Sequence, residues 1–192
     1  MHASTLKKSI TSEITETDLA FSAETLERNN AGEPVPAARF PKEMRPLFPD
    51  GRIPKLTDIF CAGGYWVVSA RFAEVMQRCD IGRTAFYPVS FFQSDMKTRV
   101  EGDFFHLNFA KIKTAFELDK SLNATPFSPG VWRPAIVPKD GEIAVSKSAL
   151  KGVDLWIDPG LRRSVFMSDR LVQQLKNERL ARRLGLAKCN IV

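Results

Sequence analysis

Large apolar residues recur along this chain in two rhythms. The run Trp66-Val67-Val68 gives way at Ser69 to Phe72, Val75, Met76 and Cys79, which are spaced i, i+3, i+4, i+7. The run predicts a strand and the spacing predicts one face of a helix. Ser69 stands at the junction, where its hydroxyl can accept from a backbone N–H that the start of a helix leaves without a partner. Much later the chain repeats the pattern. Val165-Phe166-Met167 leads to Ser168, and Leu171, Val172 and Leu175 form the stripe that follows. An arginine stands two positions after each serine (Arg71, Arg170), and a glycine comes a few turns on (Gly82, Gly185). These are two similar strand–Ser-capped helix–strand units, a scaffold for a surface. Glu178, Arg179, Arg182 and Arg183 break the second stripe, so that helix either ends near Asn177 or continues with a broad basic face.

The other rhythm has period two. Residues 85–92 read as the strand returning from the first unit, with Pro88 marking an edge or a bulge. Residues 103–109 place Phe105, Leu107 and Phe109 on one face, and Phe104, His106 and Asn108 on the other. Ile112, Thr114, Phe116 and Leu118 alternate again and predict a further strand, and residues 153–157 one more before the turn Asp158-Pro159-Gly160. Upstream, residues 23–30 predict a short helix capped by Ser22. Six prolines between residues 32 and 54 predict an extended wrapping segment, since proline neither continues a helix nor donates to a central strand. Four prolines and three glycines make residues 123–152 a loop with one short strand at 131–137. Together these elements predict an α+β fold: a mixed or antiparallel sheet with helices packed on one side. A polar, Pro-rich segment, residues 1–54, is expected to wrap a single domain, residues 55–192. Phe72, Val75, Met76, Leu107, Phe116, Leu171 and Leu175 are expected to share one core.

Composition narrows the class. With 192 residues, 44% hydrophobic and 26% charged, the chain suits one well-buried core of an ordinary soluble protein. No uncharged stretch approaches the ~18 residues that span a bilayer, so no membrane partner is expected. The residues behind Lys7 and Lys8 lack the apolar core of a signal peptide. Cys61, Cys79 and Cys189 have neither disulfide nor metal-ligand spacing, and Cys79 lies on the apolar stripe of the first helix, so a reduced, cytoplasmic protein is expected. The net charge of +6 is uneven. The two signs cancel over residues 1–159, while residues 160–192 carry Arg162, Arg163, Arg170, Lys176, Arg179, Arg182, Arg183 and Lys188 against only Asp169 and Glu178.

Little else suggests chemistry. His2 is terminal, and His106 has no Cys or second His near it, so a sheet-face histidine is favoured over a metal ligand. No metal or cofactor is expected. Ser69 and Ser168 look like caps rather than nucleophiles, Gly63-Gly64 lacks the flanks of a phosphate loop, and Glu101 and Asp103 read as solvated carboxylates. The basic C-terminal stretch invites nucleic acid, but residues 167–192 contain no aromatic for base stacking. A solvated helix face is the favoured reading, and a protein partner with an acidic patch the next, with Arg179, Arg182 and Arg183 as candidate contacts.

Four pieces in order carry a resemblance: Trp66-Val67-Val68-Ser69 with its helix; Phe86-Tyr87-Pro88-Val89; Phe105-His106-Leu107-Asn108 with Ala115-Phe116-Glu117-Leu118-Asp119-Lys120-Ser121; and Val165-Phe166-Met167-Ser168 with its helix. Over residues 55–192 the chain resembles the α+β immunity proteins of bacterial polymorphic toxin systems, a family first catalogued as a domain of unknown function. The resemblance implies a non-enzymatic cytoplasmic protein that binds and neutralises a cognate toxin domain, commonly encoded by an adjacent gene. It transfers no contact residues. The rival readings are a nucleic-acid-binding module using the basic C-terminal region, and a small-molecule enzyme whose site is too scattered to recognise.

Overall fold

The alternating stretch at residues 103–109 becomes the strand that organises the molecule. In the computed structural model, which describes residues 6–8, 16–46, 51–53, 55–162 and 164–192 (side chains from residue 21, except that of Arg183), this strand pairs on both of its edges. In chain order the elements are β1 (Leu6–Lys8), α1 (Glu16–Asn30), β2 (Glu43–Pro46), β3 (Ile59–Ala62), β4 (Tyr65–Ser69), α2 (Ala70–Gln77), β5 (Ala85–Phe91) and β6 (Phe104–Asn108). They continue with β7 (Thr125–Ser128), β8 (Val131–Arg133), β9 (Ala144–Val145), β10 (Leu155–Ile157), β11 (Val165–Met167), α3 (Asp169–Asn177) and β12 (Asn190–Ile191). Six strands form one sheet in the order β1-β2-β5-β6-β4-β3. Every pairing in it is antiparallel except β2 with β5, so the sheet is mixed and the fold is α+β. The pairs β7–β8, β10–β11 and β9–β12 stand outside it.

The period-two pattern sorts the side chains as the sequence predicts. Leu107, Val68 and Ile59 point to one face, where they meet Phe72, Val75 and Met76 of α2 and Leu171 and Leu175 of α3 in one buried cluster. Each such side chain taken from water stabilises the fold by about 1.5–3 kcal/mol. Phe104, Val67, Phe60, Val89 and Phe91 point the other way, onto Met44 and Ile53 from the Pro-rich stretch. His106 shares that second face with Tyr65 and Tyr87, where Phe40 lies against all three rings. Leu26 of α1 packs there too. Helices α2 and α3 thus cover one face of the sheet, and α1 with Val35, Phe40 and Ile53 of the Pro-rich stretch packs on the other.

Four local expectations change. Phe116 is half-buried in a different cluster, around Trp156, Leu161 and Phe166, rather than in the core beneath α2 and α3. Residues 112–118 make only isolated bridges, Ile112 to Ile157 and Phe116 to Val145. The reason is Asp158, whose Oδ2 accepts from the N–H groups of both Ala115 and Phe116 at 2.7 Å and takes the place of a neighbouring strand. Ser22 lies inside α1 rather than at its start. The strand expected at 131–137 stops at Arg133, because Pro134 offers no N–H to the ladder, and it pairs with β7, which the turn-rich sequence had hidden. Gly63 and Gly64 make the two-residue turn between β3 and β4, with φ of 57° and 87°. Positive φ at both centres is the type I′ requirement, which glycine meets at no steric cost.

Candidate functional site

Both serines cap as expected, and both do more. Ser69 Oγ accepts from the Phe72 N–H and Ser168 Oγ from the Leu171 N–H, each at 3.2 Å. Each hydroxyl then donates to an aspartate across its own hairpin: Ser69 to Asp58 Oδ1 at 2.8 Å, and Ser168 to Asp154 Oδ1 at 2.6 Å. The serine N–H donates to the carbonyl of that same aspartate, at 2.9 Å and 2.8 Å. The repeat is therefore an aspartate, a β-hairpin, a serine and a helix, used at 58–77 and again at 154–177. The two helices pack on one another through the shared core.

The arginines two positions after the serines tie this pair together. Arg71 donates to the Glu178 carbonyl at 2.7 Å, and Arg71 and Arg78 both reach the Glu178 carboxylate. Their hydrogen bonds, Arg78's first, hold that carboxyl below its ordinary range. Arg170 binds both oxygens of Asp154, which also accepts from the Asp80 N–H at 2.8 Å. Burial pushes the Asp154 carboxyl up, but the bonds from Arg170, Ser168 and Asp80 outweigh it and leave it lowered.

Of the two acids in the C-terminal stretch, Glu178 is thus committed to arginines of α2. Helix α3 ends at Asn177, the first of the two alternatives left by the sequence. Its last turn closes with the Arg179 N–H on the Lys176 carbonyl and the Leu180 N–H on the Leu175 carbonyl, the paired bonds of a Schellman ending. Arg179 fills the left-handed position of that motif, with φ 60°, where glycine is the usual occupant. Arg179 and Arg182 are exposed, and neither forms an ion pair with another described residue. Arg183 closes the 3-10 turn that begins at Ala181, and its side chain lies outside the described residues. The structure therefore places the three candidate arginines in one short turn after α3.

Two further grooves lie among the described residues. One of about 630 Å³ runs along Phe40, Tyr87, Pro88 and Phe105, with Lys42, Glu43, Arg99 and Asp103 on its rim. These four are exposed, and Arg99 and Asp103 pair with each other at 3.4 Å. The other, about 370 Å³, is bordered by Lys111, Lys113 and Lys151. There Lys113 is already held, because its Nζ donates to the carbonyls of Ala149, Lys151 and Val153 and stands 4.0 Å from the Trp156 ring centroid. Phe127 is an exposed aromatic whose ring is occupied by Arg162 at 3.5 Å and Arg133 at 5.1 Å. Glu101 stands in a turn before β6 rather than in the strand. His106 is fully buried on the sheet face, and its Nε2 donates to the Pro41 carbonyl at 2.9 Å. Burial lowers its pKa to about 4, so the ring is neutral near pH 7. Among the described residues no three of His, Cys, Asp and Glu come together as a metal site would need, and no helix is long and apolar enough to cross a membrane.

The two capped helices share one core, and Arg179 and Arg182 stand exposed in the turn that follows the second. The sequence matches the immunity protein family Imm11 over residues 4–187. The chain belongs to that family, and the match takes in the N-terminal segment, which the resemblance at residues 55–192 had left out. No curated protein matches it.

Proposed function

We propose that this chain is a non-enzymatic, cytoplasmic immunity protein that binds and neutralises the toxin domain encoded by an adjacent gene. Membership of the immunity family over residues 4–187 carries the reading. The surface gives it a physical form. The four charged groups of the larger groove, Lys42, Glu43, Arg99 and Asp103, are all exposed rather than converging on an enclosed point, as a small-molecule site would require. The turn after α3 offers Arg179, Arg182 and Arg183 to an acidic patch on the toxin, where complementary charge speeds encounter. A toxin domain of a polymorphic system that acts inside the cell would be met there.

The test is expression of the adjacent gene's product with and without this chain, followed by a binding measurement on the purified pair. Restored growth and a one-to-one complex are expected. The variant Arg179→Glu/Arg182→Glu/Arg183→Glu should keep its Tm but associate more slowly, with the deficit largest at low salt. A wild-type chain that neither protects nor binds ends the proposal. Salt-steep binding to DNA instead would favour the nucleic-acid reading.

A further inference from the structure

The ribbon β7–β8 turns one aromatic ring outward and sets two arginines over it. Its ladder pairs Pro126 with Trp132 and Ser128 with Val131, and it skips Phe127. A residue left over in this way is a β-bulge, which re-aims its side chain. All four residues of β7 are exposed, so the Phe127 ring is not spent on a core. Arg162 and Arg133 lie 3.5 Å and 5.1 Å from its centroid, which puts their Cζ atoms at most 8.6 Å apart, the sum of those distances. The backbone fixes the arrangement. The Trp132 N–H donates to the Gly160 carbonyl at 2.9 Å, and the Arg162 N–H donates to the Trp132 carbonyl at 2.8 Å. Trp132 itself packs against the cluster of Trp156, Leu161 and Phe166, which ties the ribbon to the body of the fold.

No carboxylate of the fold answers these two charges. Neither Arg133 nor Arg162 forms an ion pair with another described residue, and the sequence has no acid between Asp119 and Asp140. Two acids that approach the ribbon are committed elsewhere. Asp158, four residues before Arg162, is buried and accepts from the N–H groups of Ala115, Phe116 and Gly160. Glu142, whose carbonyl accepts from the Leu122 N–H, spends its carboxylate on Asn123 Nδ2 and the Lys139 N–H. Stacking uses the face of a guanidinium and leaves the fork of N–H donors at its edge, whose geometry matches a carboxylate. The same stacking covers a face of Phe127 and makes the ring a poor platform for a nucleobase. An acidic protein segment is therefore favoured over nucleic acid.

We propose that Arg133 and Arg162, presented on Phe127, form a clamp that grips carboxylates on an acidic segment of the toxin domain. This rests on the neutralisation reading above. Arginines already held by a ring and by the backbone lose little freedom on contact, so more of the contact energy reaches affinity. The experiment compares wild type, Arg133→Glu/Arg162→Glu and Arg133→Lys/Arg162→Lys for binding to the purified toxin domain from the adjacent gene, alongside the Tm of each chain alone. The reversed pair should raise Kd about 30-fold or more with little change in Tm, because an exposed cation–π contact contributes little to stability. The lysine pair keeps both charges and loses both forks, and should raise Kd about tenfold. Wild type that protects and binds, with either variant folded and binding equally well, overturns the clamp and leaves the neutralisation reading standing. Wild type that neither protects nor binds removes both. Salt-steep DNA binding that the reversed pair abolishes, with toxin affinity unchanged, would assign these arginines to nucleic acid and overturn the proposal.

Discussion

The two Asp–hairpin–Ser–helix units use one local code in different surroundings. In the first, the hairpin β3–β4 is part of the six-stranded sheet, and Asp58 is half-exposed and accepts from the Ser69 hydroxyl. In the second, β10–β11 is a sheet of two strands, and Asp154 is buried and gathers Ser168, Arg170 and the Asp80 N–H around one carboxylate. A hairpin built into a large sheet draws its order from the ladder. A two-stranded ribbon is marginal alone and must be tied to its helix and its neighbour by side chains.

That contrast can be broken by mutation. Asp154→Ala should destabilise the protein by about 3 kcal/mol, because it removes a buried carboxylate that accepts from the Asp80 N–H, holds the α3 cap and pairs with Arg170. Asp58→Ala should cost about 1 kcal/mol, the value of a cap's support. Urea unfolding of the two variants measures both, and equal losses would show that the two aspartates do the same work.

Acid should separate the units as well. His106 pairs with Val67 of the first hairpin in the β4–β6 ladder, and its pKa in the fold is about 4 against about 6.5 in an unfolded chain. The unfolded state takes up the proton first, so this contribution is full above pH 6.5 and is lost as pH falls toward 4, by about 3 kcal/mol. Asp154 is held below its ordinary value, so its contribution is present above about pH 4 and is lost only at lower pH. Stability measured from pH 7 to 4 should therefore fall for wild type and stay nearly level for His106→Phe. A slope that survives the substitution would place the acid sensitivity elsewhere.

How far the sequence shows this depends on the kind of force. Periodicity found both capped helices and the division of β6 into two faces, since those follow from spacing of 3.6 and 2 along one segment. It missed Asp58 and Asp154 as partners because they lie 11 and 14 residues before their serines, so no ungapped repeat aligns them. It made a strand of residues 112–118, where Asp158 from a distant turn takes the backbone N–H groups. The arginines after α3 were visible as charge, but the meeting of Arg133 and Arg162 over Phe127 was not, since the two stand far apart in the sequence and only the ribbon brings them together.

The smallest expected effect is also the sharpest test of the second unit. The first unit places Gly82 at positive φ (62°) in the loop after α2, whereas the second places Arg179 at positive φ (60°) directly after the cap of α3; Gly185, the counterpart of Gly82 by sequence, is not at positive φ. A left-handed arginine costs roughly 1 kcal/mol relative to glycine. Arg179→Gly should therefore raise stability by about that amount, measured by urea unfolding with an unchanged slope. If Arg179 is kept for its charge at the toxin surface, the same variant should bind the adjacent gene's product more slowly, and stability and binding will move in opposite directions. A variant that is more stable and binds as well as wild type would show that the strained arginine serves no contact, and the charged turn would lose its claim to the interface.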